Sequence, residues 1–186
     1  MTDFTIGQMV KSNLAWVGGG YTAVSTANPA TGAGRINYVE IRVSNWATAI
    51  CKVGSIIGLP PTPRDYVDLG EVAAGSLQTF SGLDIECELR DQIACYHTSA
   101  HPIYPSYLGS RSVDVGAGGA RKGAGDLFAG DAIAWQTFTD IVHCLYGCGS
   151  EPSPDGWFGI VNGVSGISLS HFLGVNSSNL KKAIGI

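Results

Sequence analysis

Cys95-Tyr96-His97 puts a thiol and an imidazole two residues apart, His101 follows, and His143-Cys144 and Cys148 come later in the chain. Nitrogen and sulfur donors of this kind hold zinc in a tetrahedron, so a metal-assisted hydrolase on Cys95, His97 and His143 is the catalytic reading they allow. The Cys-x-x-Cys spacing of strong zinc sites is absent, and Cys95 falls where alternation demands a core residue, so the expectation is no metal and no cofactor. Cys144 beside His143 has the residue types of a nucleophile and its base, but neighbours along a strand face opposite ways. Glu86 and Glu88 share one strand face, as a carboxylate pair would, and read as solvated surface. Gly163-Val164-Ser165-Gly166 lacks the spacing of a nucleophile elbow, and Ala124 stands where a phosphate loop built on Gly118 and Gly123 would need lysine. The expectation is a protein that is not an enzyme.

The elements that would carry these residues read as strands. Leu83, Ile85, Cys87 and Leu89 alternate with Asp84, Glu86 and Glu88, which places apolar side chains on one face and acids on the other. Val39, Ile41 and Val43 alternate with Glu40 and Arg42, and Ile93, Cys95 and His97 follow the turn-like Arg90-Asp91. Further strands are expected at Tyr21 to Ala27, Ile50 to Ile56, Tyr66 to Val72, Ser76 to Phe80, Ile133 to Phe138 and Ile141 to Tyr146. Asn28-Pro29, Leu59-Pro60-Pro61-Thr62-Pro63, Gly75-Ser76 and Gly130-Asp131 punctuate them. Short strands at this spacing predict an all-β fold, an antiparallel sandwich of jelly-roll type over 1–150. Asp91-Gln92-Ile93-Ala94 and Asp131-Ala132-Ile133-Ala134 predict two similar corners, each opened by an Asp that bonds its own turn.

Between Ser99 and Gly130 alternation lapses and seven glycines occur, so this stretch reads as one long loop with a short strand near Arg111 to Val115. It carries Tyr104, Tyr107, Arg111, Arg121 and Lys122, contact-forming types that suit a ligand or receptor surface. The chain as a whole has 186 residues with 14% charged residues and 26 glycines, about half the usual charge and twice the usual glycine. A formal net charge of -4 offers no basic field for nucleic acid. Met1 to Val10 lack the basic cluster and apolar run of a secretory signal, which predicts synthesis in a cytoplasm. Five cysteines cannot all pair within one chain, and Cys144 and Cys148, near the end of the sandwich, are the candidates for a disulfide between subunits.

Past Glu151-Pro152-Ser153-Pro154-Asp155 the pattern changes. Gly163, Gly174 and Gly185 stand eleven residues apart, each before a β-branched residue, and Gly156 to Leu180 holds no Asp, Glu, Lys or Arg. Short helical turns ended by glycine are expected over 151–186. Glycines, serines, Asn162 and His171 argue against a membrane span. Such turns need a surface to lie on, and Trp157, Phe158, Leu169, Phe172, Leu173, Leu180 and Ile184 are the expected assembly residues.

Asn28-Pro29-Ala30-Thr31-Gly32, Val39-Glu40-Ile41, Arg64-Asp65-Tyr66, Gln78-Thr79-Phe80-Ser81-Gly82-Leu83-Asp84-Ile85, Gly130-Asp131 and Leu145-Tyr146-Gly147 together resemble a β-sandwich domain of structural proteins in tailed bacteriophages. The glycine-valine tail repeats are similar to repeats at the ends of such proteins. Arg90-Asp91 departs from that pattern, where Gly-Asp is usual. The resemblance implies a virion component, of capsid-decoration, head-fibre, neck or tail-fibre type. Its implied partners are copies of itself in a homo-oligomer, a trimer for preference, and other virion proteins. A carbohydrate-binding or host-receptor module, stacking Tyr104 and Tyr107 on a surface glycan, is the alternative.

Overall fold

The structure, a computed structural model, describes residues 3–8, 15–43, 47–58, 60–99, 107–112, 119–150, 160–161 and 164–165. The strands in chain order are β1 (Asp3–Gly7), β2 (Ala15–Gly18), β3 (Tyr21–Ser25), β4 (Gly34–Arg42), β5 (Ala49–Ile57), β6 (Thr62–Val72), β7 (Leu77–Cys87), β8 (Gln92–Ser99), β9 (Tyr107–Ser112), β10 (Ala120–Ala124), β11 (Gln136–Phe138), β12 (Ile141–His143) and β13 (Leu145–Ser150). A 3-10 turn, Leu127–Ala129, lies between β10 and β11. Residues Asp3–Ser150 make one compact unit.

Two antiparallel layers face each other, as the alternation predicts for a β-sandwich. One is a six-stranded sheet in the order β11-β10-β3-β8-β5-β6. The other combines a four-stranded sheet, β1-β13-β4-β7, with a three-stranded sheet, β12-β9-β2, and a bridge between Val43 and Leu108 links the two. Between the layers lie Phe4, Ile6, Ile36, Val39, Ile41, Ile85 and Leu145 from one side and Cys51, Val53, Ile93 and Cys95 from the other, all essentially unexposed. Ile36 and Val39 are three apart and both point inward, which strict alternation forbids; the register shift between Ile36 and Tyr38 resolves the conflict. A second, smaller apolar cluster, Val24, Ile56, Ala94, Leu127 and Phe128, lies apart from this core, with Ile133 and Trp135 packed against it.

Several expectations change in the structure. Ser76 to Phe80 and Leu83 to Leu89 merge into one strand, β7, which passes through Gly82, whose φ of 72° favours glycine. Leu89 falls in the turn beyond it and is 59% exposed. The supposed loop of Ser99 to Gly130 contains β9, β10 and the 3-10 turn, so Arg121 and Lys122 stand in a strand. Ile133 to Trp135 are not strand: Ile133 packs where Gly123 has no side chain, and any Cβ there would collide with it. The two Asp-x-Ile-Ala corners therefore differ. Asp91 accepts the Glu88 N–H at 2.9 Å and opens β8, whereas Asp131 accepts the Asp126 N–H at 2.7 Å and opens no strand. In the tail, Ile160–Val161 (β14) pairs antiparallel with Val164–Ser165 (β15), an extended ladder where helical turns were expected. The other tail positions, including Trp157, Phe158, Leu169, Phe172, Leu173, Leu180 and Ile184, lie outside the described residues.

The turn into β8 places a non-glycine residue where the backbone suits glycine. Arg90 has a φ of 73°, the one positive value among described non-glycine residues. Its N–H donates to Ala30 O at 3.0 Å while Asp91 N–H closes the turn onto Glu88 O at 3.0 Å, so the backbone is held there. A left-handed non-glycine residue costs about 1–2 kcal/mol, against about 0.5–1 kcal/mol for glycine's greater freedom in the unfolded chain. Arg90→Gly should therefore gain up to about 1 kcal/mol in urea unfolding; a variant less stable than the parent would contradict this account of the turn.

Candidate functional site

The residues with chemistry are placed by the inner face of the six-stranded sheet. Alternation along β8 sends Ile93, Cys95 and His97 inward, and all three are fully buried. Burial, with Cys51 beside it, pushes the Cys95 thiol far above its ordinary value, and burial likewise raises Cys87 to about 12. Such thiols stay protonated at neutral pH and are poor nucleophiles. His97 Nε2 lies 3.1 Å from Val17 O and 3.2 Å from Leu108 N, a directly opposed pair in the β2–β9 ladder. His143, on β12, reaches the other way, its Nε2 3.0 Å from Arg121 O on β10. Both rings are lowered to about 4, chiefly by burial.

The sequence-predicted zinc set is thus split among sheet contacts, and no group of three or more His, Cys, Asp or Glu among the described residues could hold a metal. His101 lies outside the described residues. Glu86 joins Arg35, Asp65 and Asp84 in a solvated ion cluster rather than pairing with Glu88. In the recognition set, Tyr104 lies outside the described residues, and Tyr107 and Arg111 belong to β9, where Arg111 stands opposite Val142. Lys122 puts its ammonium 5.5 Å from the Tyr21 ring and 5.4 Å from the Phe138 ring, a cation held by two aromatic faces.

Within the chain no disulfide joins the five cysteines, and Cys144 is 1% exposed at the junction of β12 and β13. Cys148 lies opposite both Tyr38 and Thr5 in the four-stranded sheet and is half-buried, with its thiol raised by that burial.

Two polar contacts were missed because their partners are far apart in sequence. Arg64 Nε and Nη2 donate to the two oxygens of Asp91 at 2.5 and 3.3 Å, and Asp91 is 4% exposed. Lys52 Nζ donates to Asp126 Oδ2 at 2.6 Å, while Asp126 Oδ1 takes the N–H groups of Phe128 and Ala129. Only the quoted Arg64-Asp65-Tyr66 pattern hinted at the first; nothing local signals the second.

Also unforeseen was the border formed by β6 and β7. Each is an eleven-residue strand at the edge of its own sheet, and the two pack beside each other. Asp65 accepts the N–H groups of Tyr66 and Glu86, and Asp68 that of Gly70, which blunts β6 and the upper part of β7 with acids. Leu77–Ser81 pair on one side only, with Tyr38–Arg42. The exposed large apolar side chains among the described residues, Ile50, Ile57, Tyr66, Leu77 and Leu89, fall on β5, β6, β7 and the turn that follows.

With four thiols buried and Cys148 half-buried, alkylation of the native protein at neutral pH should modify Cys148 first and the remainder only after denaturation. Peptide mapping that finds Cys51, Cys87, Cys95 or Cys144 modified as fast as Cys148 would refute this ordering. No family model matches the chain, and no curated protein or solved structure matches it either.

Proposed function

We propose that this chain is a non-enzymatic structural protein of a virion, which assembles with copies of itself and decorates or joins a phage capsid, neck or tail. The observation that carries the reading is the β6–β7 border. Long strands at a sheet edge are templates for another chain, and here Tyr66 on β6 and Leu77 on β7 are exposed, with Ile50 and Ile57 exposed on β5 beside β6. The buried histidines support it from the other direction, because His97 and His143 each engage backbone groups of another sheet. The β-sandwich is also the fold that the resemblance to tailed-phage structural proteins implies.

In this reading the charge-free segment Gly156 to Leu180 docks the sandwich into its assembly. Removing Gly156 to Ile186 should leave the Asp3–Ser150 unit folded, with an unchanged thermal transition, and lower the native mass measured by light scattering. A truncated protein that assembles as the full chain does would remove the docking role.

A second reading, a glycan- or receptor-binding module, is favoured by one feature of the six-stranded sheet. Tyr66 is 44% exposed and stacks on Phe128 with ring centroids 5.0 Å apart, near Lys52, whose ammonium is 6.0 Å from the Tyr96 ring. Aromatic faces beside a charged donor suit a sugar ring. Glycan-array binding that is lost on Tyr66→Ala, or on Tyr104→Ala or Tyr107→Ala, supports this reading, and an intact oligomer that binds no glycan excludes it.

A further inference from the structure

We propose that His97 and His143 form a reciprocal latch that holds the three-stranded sheet against the six-stranded sheet at neutral pH and releases it, locally and reversibly, in acid. The geometry is two-way. His97 leaves β8 of the six-stranded sheet and ends at the Val17–Leu108 pair of the three-stranded sheet, while His143 leaves β12 of the three-stranded sheet and ends at Arg121 O of β10. Neither ring is more than 1% exposed, and in both the second nitrogen, Nδ1, is buried without a hydrogen-bond partner.

A neutral imidazole suits these sites and an imidazolium does not. Neutral His97 uses Nε2 toward one neighbour at a time, either donating to Val17 O or accepting from Leu108 N–H. Either neutral tautomer leaves one group unmet, the Leu108 N–H or the ring's own Nδ1–H; the protonated ring has only donors and leaves both unmet. His143 can still donate to Arg121 O when charged, but its Nδ1–H is equally stranded.

The surrounding groups reinforce this. His97 faces the carbonyls of Val17 and Gly18 on β2, Leu108 N on β9, Tyr21 opposite it on β3, and Cys51 opposite it on β5. His143 faces Arg121 O on β10 and feels Lys122 and His97, both of which oppose a positive charge on it. Arg111 stands on β9 opposite Val142, next to His143. The carbonyls favour the charged rings, and burial outweighs them in both cases.

The sign of the pH effect follows. Both rings are depressed from 6.5 to about 4 when the sheets are closed, so they stabilise the closed form above pH 6.5, and that contribution is lost as pH falls toward 4. Between pH 7 and pH 5 the opening constant should rise on the order of twentyfold for each ring that reaches water.

Hydrogen exchange by mass spectrometry on the full chain, corrected for the intrinsic pH dependence of exchange, tests the latch. Peptides covering β2, β9 and β12 should lose protection by at least the order of twentyfold from pH 7 to pH 5, while β4 and β7 keep theirs. The double variant His97→Gln/His143→Gln should abolish most of that difference. Loss of protection equally everywhere, no loss, or the same loss in the double variant would overturn the proposal. If the double variant does not fold, ring-proton titration of the parent decides: both rings titrating below pH 5 supports the latch, and either titrating near 6.5 sinks it.

Discussion

The inner face of β13 carries no side chain at Gly147 or Gly149, and the core is built around that absence. A Cβ at Gly149 would collide with Arg35 O and the Phe4 ring, and one at Gly147 would press on Ile36, Ile6 and Ile93 at 3.1–3.2 Å. Large side chains from β1 and β4, and from β8 in the opposite sheet, therefore converge on β13, one of the two inner strands of the four-stranded sheet. Gly7, with a φ of 79°, makes the same concession on β1, where a side chain would strike Leu145 O. Close packing at interior density leaves no room to relax such a contact. The glycine surplus of the composition is thus partly a packing requirement, met where two layers come closest.

Around this centre the buried polar groups set the relative positions of the elements. Arg64 on β6 and Asp91 at the entrance to β8 tie the six-stranded sheet to the turn that leads into it, and Asp91 also takes the Glu88 N–H. Lys52 and Asp126 fasten the 3-10 turn to β5. Ser55 on β5 donates to Glu86 O on β7, a bond from one sheet to the other. A buried ionic or polar contact adds little net energy when intact and costs several kcal/mol when half of it is lost, so such contacts fix arrangement more than stability.

How much of this the sequence discloses depends on what each residue's side chain does. β4, β5 and β8 are legible because Val39, Ile41, Cys51, Val53, Ile93 and Cys95 alternate on a buried face. β10 is not, because its sequence, Ala-Arg-Lys-Gly-Ala, buries Ala120 and Gly123 and offers no apolar rhythm. β6 was placed but its role was not, since edge position is a property of the sheet and not of the strand. The contacts of the histidines are illegible for a related reason. Cysteine and histidine have the same residue types whether they bind zinc or fill a core, and only the backbone atoms of Val17, Leu108 and Arg121, supplied by three other strands, decide between the two. In the tail, a glycine period is compatible with both helix ends and strand ends, and Ile160–Val161 pairs antiparallel with Val164–Ser165.

The junction at Cys144 has a mechanical consequence. β12 passes into β13 across this single residue, and β13 lies between β1 and β4, hydrogen-bonded to both along its length. The chain leaves the sandwich at Ser150, the last residue of β13. Tension applied there along the strand axis loads both ladders in shear, so that their bonds must fail together and not one after another.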